Sequence, residues 1–274
     1  MSLESVRVSP QWLALRESAD AAARSSELVG QLPSLLPSRG GVVIHDLGCG
    51  TAGMARWLAP QLPGPQHWVL YDRDTELLAV AAASLPRVAA DGTAVTGETR
   101  RHDVTRLGAD ELAGASLVTV SALLDMLTAD EVDRLVTTCA GAGCPALITG
   151  SVIGRVELRP DDSLDNLVMD AFNDHQRRAT GGPRLLGPDA VDAAVAAFTR
   201  LGSDVVVRPS PWRLGAADAA LTAEWFTGWV TAAVEQRPEL AGALAGYGQR
   251  RLADAAAGRL KVVVQHQDLL ILPR

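Results

Sequence analysis

A carboxylate and two glycines follow a short β-branched run early in the chain, and their spacing suits a ligand-binding turn. Val42 to Ile44 is typical of a buried parallel strand, and helix-forming residues follow from Met54 to Leu62. Gly48 and Gly50 then lie in a strand-to-helix turn, where the lack of a Cβ lets the backbone turn tightly and a ligand approach it. The first N–H groups of the helix remain free to donate. With Asp46 beside it, this turn predicts a site for a small, polar, nucleotide-like ligand.

Two further aspartates follow the predicted ends of neighbouring strands. Asp72 ends the strand His67 to Tyr71, and Asp103 follows the strand Thr93 to Arg101. An acid at the end of the second strand suits the hydroxyl groups of a ribose that lies across the switch point of a parallel sheet. Dinucleotide sites and nucleoside sites both use such an acid, so Asp72 predicts a ribose without naming the cofactor.

The glycines also fit a second pattern. Gly48, Gly50 and Gly53 match the GxGxxG spacing of nicotinamide and flavin sites. Asp46 argues against a diphosphate at this turn, because a carboxylate repels a pyrophosphate but accepts hydrogen bonds from a cationic or amino group. An ordinary βα turn without a ligand is the other alternative.

The elements that must position these residues alternate between strands and helices. The strands predicted in the first part of the chain are 42–44, 67–71, 93–101, 115–120 and 145–152. Alternation of this kind predicts right-handed βαβ units and a doubly wound, mostly parallel sheet of the α/β class.

The second half continues the pattern with helical additions. We predict a helix at 189–201, a strand at 204–208, a long helical stretch at 216–257 and a last strand at 261–272. We expect a single domain (1–274). Its predicted parts are an N-terminal helical cap (1–38), a cofactor-binding core (41–152), helices and a cap insertion around strand six (153–258), and the last strand.

The segment from Asp46 to Thr51, Asp-Leu-Gly-Cys-Gly-Thr, resembles motif I of class I S-adenosylmethionine-dependent methyltransferases of the small-molecule type. The resemblance covers residues 41–152 well and the last strands loosely. It implies a Rossmann-like methyltransferase fold with a seven-stranded sheet, and S-adenosylmethionine as the cofactor. The chain departs from the family at Ala52, where the family has glycine, and at 213–258, which replaces a short hairpin.

The resemblance assigns contacts to the cofactor. It implies that Asp46, Gly48 and Gly50 hold the amino-acid end, that Asp72 binds the ribose and that Asp103 meets the adenine. The other cofactor-binding residues that we predict are Cys49, Arg73, Val104, Ser121 and Arg16.

Two side chains are candidates for a catalytic base. His175 continues the apolar stripe of a predicted helix and so faces inward, although pairing with a neighbour such as Arg178 is an equal alternative. Asp125, just after strand four, is a competing base or substrate contact. Arg16 is assigned to a carboxylate of cofactor or substrate, with an i, i+4 pair to Asp20 as the alternative.

Charge and composition limit the function classes. With 25 Lys and Arg against 32 Asp and Glu, the net charge is −7, which disfavours a nucleic-acid partner. Three cysteines without close pairing predict reduced thiols and a cytoplasmic protein. We find no leader, no membrane span and no metal-ligand spacing in the sequence, and a homo-oligomer is compatible with it.

Together these features predict methyl transfer from S-adenosylmethionine to an O, N or C nucleophile of a small molecule. Trp225 and Trp229, one helical turn apart, suit the core of a helical lid, and in a pocket they would favour an apolar or aromatic acceptor. The alternatives are an NAD-type oxidoreductase and a non-catalytic nucleoside-binding or partner-binding module on the same fold.

Overall fold

A computed structural model describes residues 8–38, 40–179 and 182–273 of the chain. The helices are α1 (Pro10–Ala23), α2 (Ser26–Leu35), α3 (Gly53–Leu58), α4 (Thr75–Ser84), α5 (Ala129–Gly141), α6 (Asp165–Gln176), α7 (Ala190–Arg200), α8 (Ala219–Gln236) and α9 (Ala241–Ala256). The strands are β1 (Val42–Leu47), β2 (Gln66–Asp72), β3 (Val95–Arg101), β4 (Leu117–Ser121), β5 (Ala146–Arg159), β6 (Asp204–Pro209), β7 (Trp212–Leu214) and β8 (Lys261–Leu272). In the described ranges, no helix has the length and apolar character needed to cross a membrane.

All the strands belong to one sheet with the order β3-β2-β1-β4-β5-β8-β6, and β7 also pairs with β8. Strands β1 to β5 pair in parallel, whereas β8 runs antiparallel to β5, β6 and β7. The predicted α/β class and doubly wound, mostly parallel sheet are therefore confirmed. The order reverses between β1 and β4, which makes their carboxyl ends the switch point of the sheet.

Within the described residues the sheet has eight strands where seven were predicted, because one edge strand is interrupted. β6 and β7 pair with successive parts of β8 in one register, Asp204 opposite Leu272 and Trp212 opposite Val264. Ser210 and Pro211 separate them, and a proline has no N–H to donate to a strand ladder.

β5 is longer than predicted and ends at Arg159 instead of Val152. Its register with β8 shifts near Gly150 and Gly154, which have φ values of 66° and 72°. Bulges at such glycines bend a strand and let it continue. The extension matters because α6 packs beside it. Val156 and Leu158 of the extension join an apolar cluster around Phe226 that also includes residues of α6, α8 and α9.

The predicted helical stretch between β7 and β8 consists of α8 and α9, which are divided at Pro238. Trp229 is buried and stacks on Trp225 with ring centroids 5.3 Å apart, so this pair does belong to a helical core. The predicted N-terminal helical region is two helices, because Ser25 starts α2 by accepting a hydrogen bond from the Leu28 N–H.

Candidate functional site

A buried polar layer lies along the carboxyl edge of the sheet, on the face covered by α2. Side chains alternate along a strand, so residues two apart share a face. Towards this edge, apolar residues are followed on that face by polar ones: Ile44 by Asp46, Leu117 by Thr119, Leu147 by Thr149 and Leu270 by Asp268. Polar groups buried in a row need partners, and a ligand can supply those that the protein does not.

The glycine-rich turn lies at the end of β1. Gly48 and Gly50 have φ values of 75° and 54°, which side chains with a Cβ rarely adopt. The N–H groups of Gly48 and Cys49 both donate to the Tyr71 carbonyl, at 2.9 and 2.8 Å. A Cβ on Gly50 would lie 2.9 Å from Leu13, so α1 covers the turn closely.

Asp72 joins this turn to the end of β2. One carboxylate oxygen accepts from the Gly50 N–H at 3.0 Å, and the other accepts from the Asp74 N–H at 2.9 Å. Asp74, rather than Asp72, caps α4, through the Glu76 N–H. Asp72 therefore ties the end of β2 to the glycine turn. Ala52 takes the left-handed conformation (φ 64°) before α3.

Asp46 carries a buried oxygen without a partner. Its Oδ1 accepts from the Thr119 hydroxyl at 2.7 Å, while Oδ2 contacts no hydrogen-bond donor of the described residues. Burial raises the pKa of Asp46 to about 6, against the opposing effects of the Thr119 hydrogen bond and of Arg24.

Arg24 supplies the matching cation. It ends α1, its guanidinium lies 4.9 Å from the Trp57 ring centroid, and burial lowers its pKa. Its Nη1 is buried, and no acceptor in the described part of the chain binds it. The opposite charges of Arg24 and Asp46 therefore attract each other. Each of the two side chains keeps one buried polar atom without a hydrogen-bond partner among the described residues.

The two other carboxylates near Arg24 are fully engaged. Asp268 accepts from the N–H groups of Ser25 and Gly150 and from the Ser210 hydroxyl, at 2.8, 2.9 and 2.6 Å. Asp20 accepts from Arg16 and from the indole N–H of Trp212. Neither carboxylate is left for a ligand.

A narrow cleft separates α1 from the polar layer. It is lined by residues of α1, of the ends of β4 and β5, and of the segment before β7: Asp20, Ala23, Arg24, Ser121, Ala122, Thr149, Gly150, Ser210, Trp212 and Asp268. Ser121, a predicted cofactor contact, shares a hydrogen bond of 3.0 Å with Thr149 there.

Arg16 forms the i, i+4 pair with Asp20 that the sequence analysis gave as its alternative role. Its Nε and Nη2 bind both oxygens of Asp20, at 2.9 and 3.0 Å, and its guanidinium lies over the Trp212 ring at 4.8 Å. This contact holds α1 against β7. Arg16 is therefore paired within the protein, whereas Arg24 has a buried guanidinium nitrogen without a partner among the described residues.

The other predicted contacts lie around the ends of β2 and β3. Asp103 caps a short 3₁₀ turn by accepting from the N–H and hydroxyl of Thr105, at 3.1 and 2.8 Å, and also pairs with Arg106. Val104 is buried in the core, and Arg73 is exposed at the end of β2. Cys49 is buried in the glycine turn, where burial raises the pKa of its thiol.

The two candidate bases have different surroundings. His175 contacts Glu235 of α8 through Nε2 and Arg178 through Nδ1, both at 3.0 Å, so both ring nitrogens are engaged within the helical region. Burial and Arg178 lower its pKa. Asp125 is bound instead by the amide of the next residue of α6, Gln176, at 3.3 Å, and burial raises its pKa to about 6.

Arg24, Thr119 and Gln176 are candidate site residues that the sequence analysis did not predict. Arg24 had a weak signal, since Trp12, Arg16, Asp20 and Arg24 recur at every fourth position of one helix. Gln176 had none, because its role depends on where the segment after β4 folds.

No protein-family model matches the sequence, and no curated protein sequence matches it. Among solved structures, the chain is similar to a cyclopropane synthase from Mycobacterium tuberculosis, with 12% identity over 96% of this chain and 94% of that one, and a TM-score of 0.49. It is also similar to two S-adenosylmethionine-dependent methyltransferases in complex with S-adenosyl-L-homocysteine. The one from Geobacter sulfurreducens has 16% identity over 97% and 99% of the two chains and a TM-score of 0.44. The one from Thiobacillus denitrificans has 14% identity over 98% and 100%, with a TM-score of 0.46.

Proposed function

We propose that the protein transfers the methyl group of S-adenosylmethionine to a small-molecule acceptor. The observation that carries the proposal is the buried pair of Asp46 and Arg24, each with one unpartnered polar atom in the described structure. An anionic acceptor beside a cationic donor is complementary to an ammonium and a carboxylate on one carbon, as in an α-amino acid. The methionine end of S-adenosylmethionine carries these two groups.

Asp72 supports the nucleoside part of the proposal. Its carboxylate lies on β2, beside the glycine turn, and it has lone pairs beyond those used by Gly50 and Asp74. A ribose diol that extends from the amino-acid end across the switch point would reach this carboxylate. The order from Arg24 and Asp46 to Asp72 therefore matches the order of groups in the cofactor.

The bound cofactor would supply a sulfonium methyl group, which is a strong electrophile. The chain's own contribution is to bind and align the reactants and to exclude water. Helix α1 does this by covering the turn with Leu13 and by the ion pair of Glu17 with Arg56, at 2.6 Å. Arg56 also binds the Thr51 carbonyl, so the covering helix is attached directly to the glycine-rich segment.

Calorimetric titration with S-adenosylmethionine, S-adenosylhomocysteine and NAD tests the proposal. We expect both sulfur nucleosides to bind, and Asp72→Ala to weaken them by about 1–3 kcal/mol, the usual cost of a lost charged hydrogen-bond partner. Asp192→Asn, a change of an exposed carboxylate on α7, is the matched control and should bind as the wild type does. Binding of NAD without any response to the sulfur nucleosides would overturn the proposal.

A further inference from the structure

We infer that Asp125 and Gln176 hold the nucleophile of the acceptor and that this nucleophile is an amine nitrogen. The inference rests on the proposed methyl transfer and adds the substrate class. It follows from the position of the pair, from the way the fold holds it, and from the hydrogen-bonding groups that it leaves unused.

The position is at the switch point, next to the glycine turn. A Cβ on Gly48 would lie 3.3 Å from the Leu123 side chain, so the segment after β4 packs directly on the turn. Asp125 lies two residues further on, in the 3₁₀ turn Leu124–Met126. Burial raises the pKa of Asp125, and the positive charge of Arg16 on the covering helix α1 opposes this rise.

The fold holds the pair from two sides. Gln176 is the last residue of α6, and a Cβ on Gly187 would lie 2.9 Å from its Cβ and 3.0 Å from its backbone carbon. Gly187 has a φ of 55°, which keeps this close approach possible. The Leu186 N–H donates to the Leu127 carbonyl at 2.8 Å, so the segment that supports Gln176 is joined to the segment that carries Asp125.

The unused groups are acceptors. The Gln176 amide donates to Asp125 Oδ2 at 3.3 Å, and its own Oε1 is buried without a donor among residues 8–38, 40–179 and 182–273. Reversing the amide would place its oxygen against the carboxylate, so the observed orientation is the favourable one when Asp125 is ionised. The pair therefore offers a carboxylate and an amide oxygen to a ligand.

Two neighbouring acceptors select a nitrogen over an oxygen. A hydroxyl group has one hydrogen and can satisfy one of them, whereas an amine or its ammonium form has enough N–H groups for both. A hydrogen bond from an ammonium to a carboxylate is also charge-assisted, and hence stronger than a neutral one. An amine would supply the donor that the buried Gln176 Oε1 lacks and could donate to the Asp125 carboxylate as well.

The chemistry balances with Asp125 as the proton acceptor. The ammonium gives one proton to the Asp125 carboxylate, which frees the nitrogen lone pair. That lone pair forms the N–C bond to the methyl carbon while the C–S bond breaks and its electron pair returns to sulfur as a thioether. Asp125 then releases the proton to water, and Gln176 keeps the nitrogen oriented throughout.

The test is a comparison of two probes of nearly equal shape, benzylamine and benzyl alcohol, with the protein already saturated with S-adenosylhomocysteine. Their dissociation constants are measured by calorimetric titration. We expect benzylamine to bind about tenfold more tightly, as one stronger hydrogen bond would give. Equal dissociation constants, or no binding of either probe, would overturn the inference.

Variants show whether a preference for the amine comes from Asp125 and Gln176 or from the overall negative charge of the protein. Gln176→Leu and Asp125→Asn should each remove the preference for the amine, whereas Gln176→Glu, which adds a carboxylate of the same size, should retain or increase it. Asp192→Asn should leave it unchanged. A preference that survives both Gln176→Leu and Asp125→Asn would contradict the inference. Failure of S-adenosylhomocysteine to bind would instead count against the proposed function.

Discussion

Asp46 and Asp125 are carboxyl groups for which ionisation is costly in the folded protein. Burial raises the pKa of both to about 6, although each has a hydrogen-bond donor beside it, Thr119 and Gln176 respectively. A group held in an unfavourable charged state reduces stability until a ligand of opposite charge compensates it. This is the pattern expected of residues retained for binding.

Asp46→Asn should therefore stabilise the ligand-free protein and weaken the binding of the proposed cofactor. The asparagine oxygen can still accept from Thr119, and the buried charge is removed. Because the raised pKa of Asp46 makes the carboxylate destabilising above pH 6, we expect a gain on the order of 1–3 kcal/mol at pH 7.5. The gain should shrink as pH falls to about 4.5, where the folded carboxyl is protonated.

Urea unfolding at the two pH values measures this gain, and titration with S-adenosylhomocysteine measures the accompanying loss of affinity. Asp192→Asn, on the exposed face of α7, is the control for removing a charge without removing a buried one. A loss of stability at pH 7.5, or a gain that is the same at both pH values, would show that Asp46 is not an unfavourable buried charge.

The proposed site is completed by two helices, α1 and α6, and by two turns, the glycine turn and the turn at Gly187, whose glycines have positive φ values. α1 covers the glycine turn and brings Arg24 to the polar layer, while the end of α6 brings Gln176 to Asp125. Gly187 supports the second arrangement, because any side chain there would collide with Gln176. The proposed acceptor site is thus built from the ends of elements that pack on each other, not from a continuous motif.

Gly187→Ala should destabilise the protein more than Gly92→Ala. Both glycines have positive φ, 55° and 79°, so each alanine carries a similar backbone cost of about 1–2 kcal/mol. A Cβ at Gly92 meets nothing within 4 Å, whereas a Cβ at Gly187 meets Gln176 at 2.9 Å. We expect a further loss of about 1–3 kcal/mol from this overpacking, measured by urea unfolding. Equal losses in the two variants would mean that Gln176 moves aside freely.

At the scale of the whole molecule, we expect two buried histidines, His45 and His266, to reduce the stability of the fold when the pH falls. Burial lowers the pKa of His45 and of His266 to about 4. His45 lies against the Tyr71 hydroxyl at 3.2 Å, and His266 contacts the Val264 carbonyl through Nδ1 at 2.9 Å. His45 thus has the surroundings of a core histidine.

The stability that comes from keeping these imidazoles neutral is present above pH 6.5 and is lost as pH falls through 4, because the unfolded chain then binds more protons. His266→Gln removes one such contribution and can retain a donor to Val264. We expect the difference in unfolding free energy between wild type and variant to move by about 3 kcal/mol in favour of the variant between pH 7 and pH 4. Chemical unfolding at both pH values checks this, and a constant difference would contradict it.

The sheet, its switch point and the position of the glycine turn could be predicted from local sequence patterns. These features are local: β-branched runs end at Asp46 and Asp72, and Gly48 and Gly50 follow at once with the conformations that only glycine adopts readily. Asp72 lies beside the turn because parallel strands end at the same edge.

The cation and the polar partner that complete the proposed site follow instead from tertiary packing. His175 and Gln176 are consecutive, but about 100° of helical rotation separates their directions, and packing sends His175 to Glu235 and Gln176 to Asp125. Arg16 and Arg24 share a helix face, yet Arg16 binds Asp20 whereas Arg24 lies at the polar layer. Burial by distant elements makes these choices, and no local pattern in the sequence encodes it.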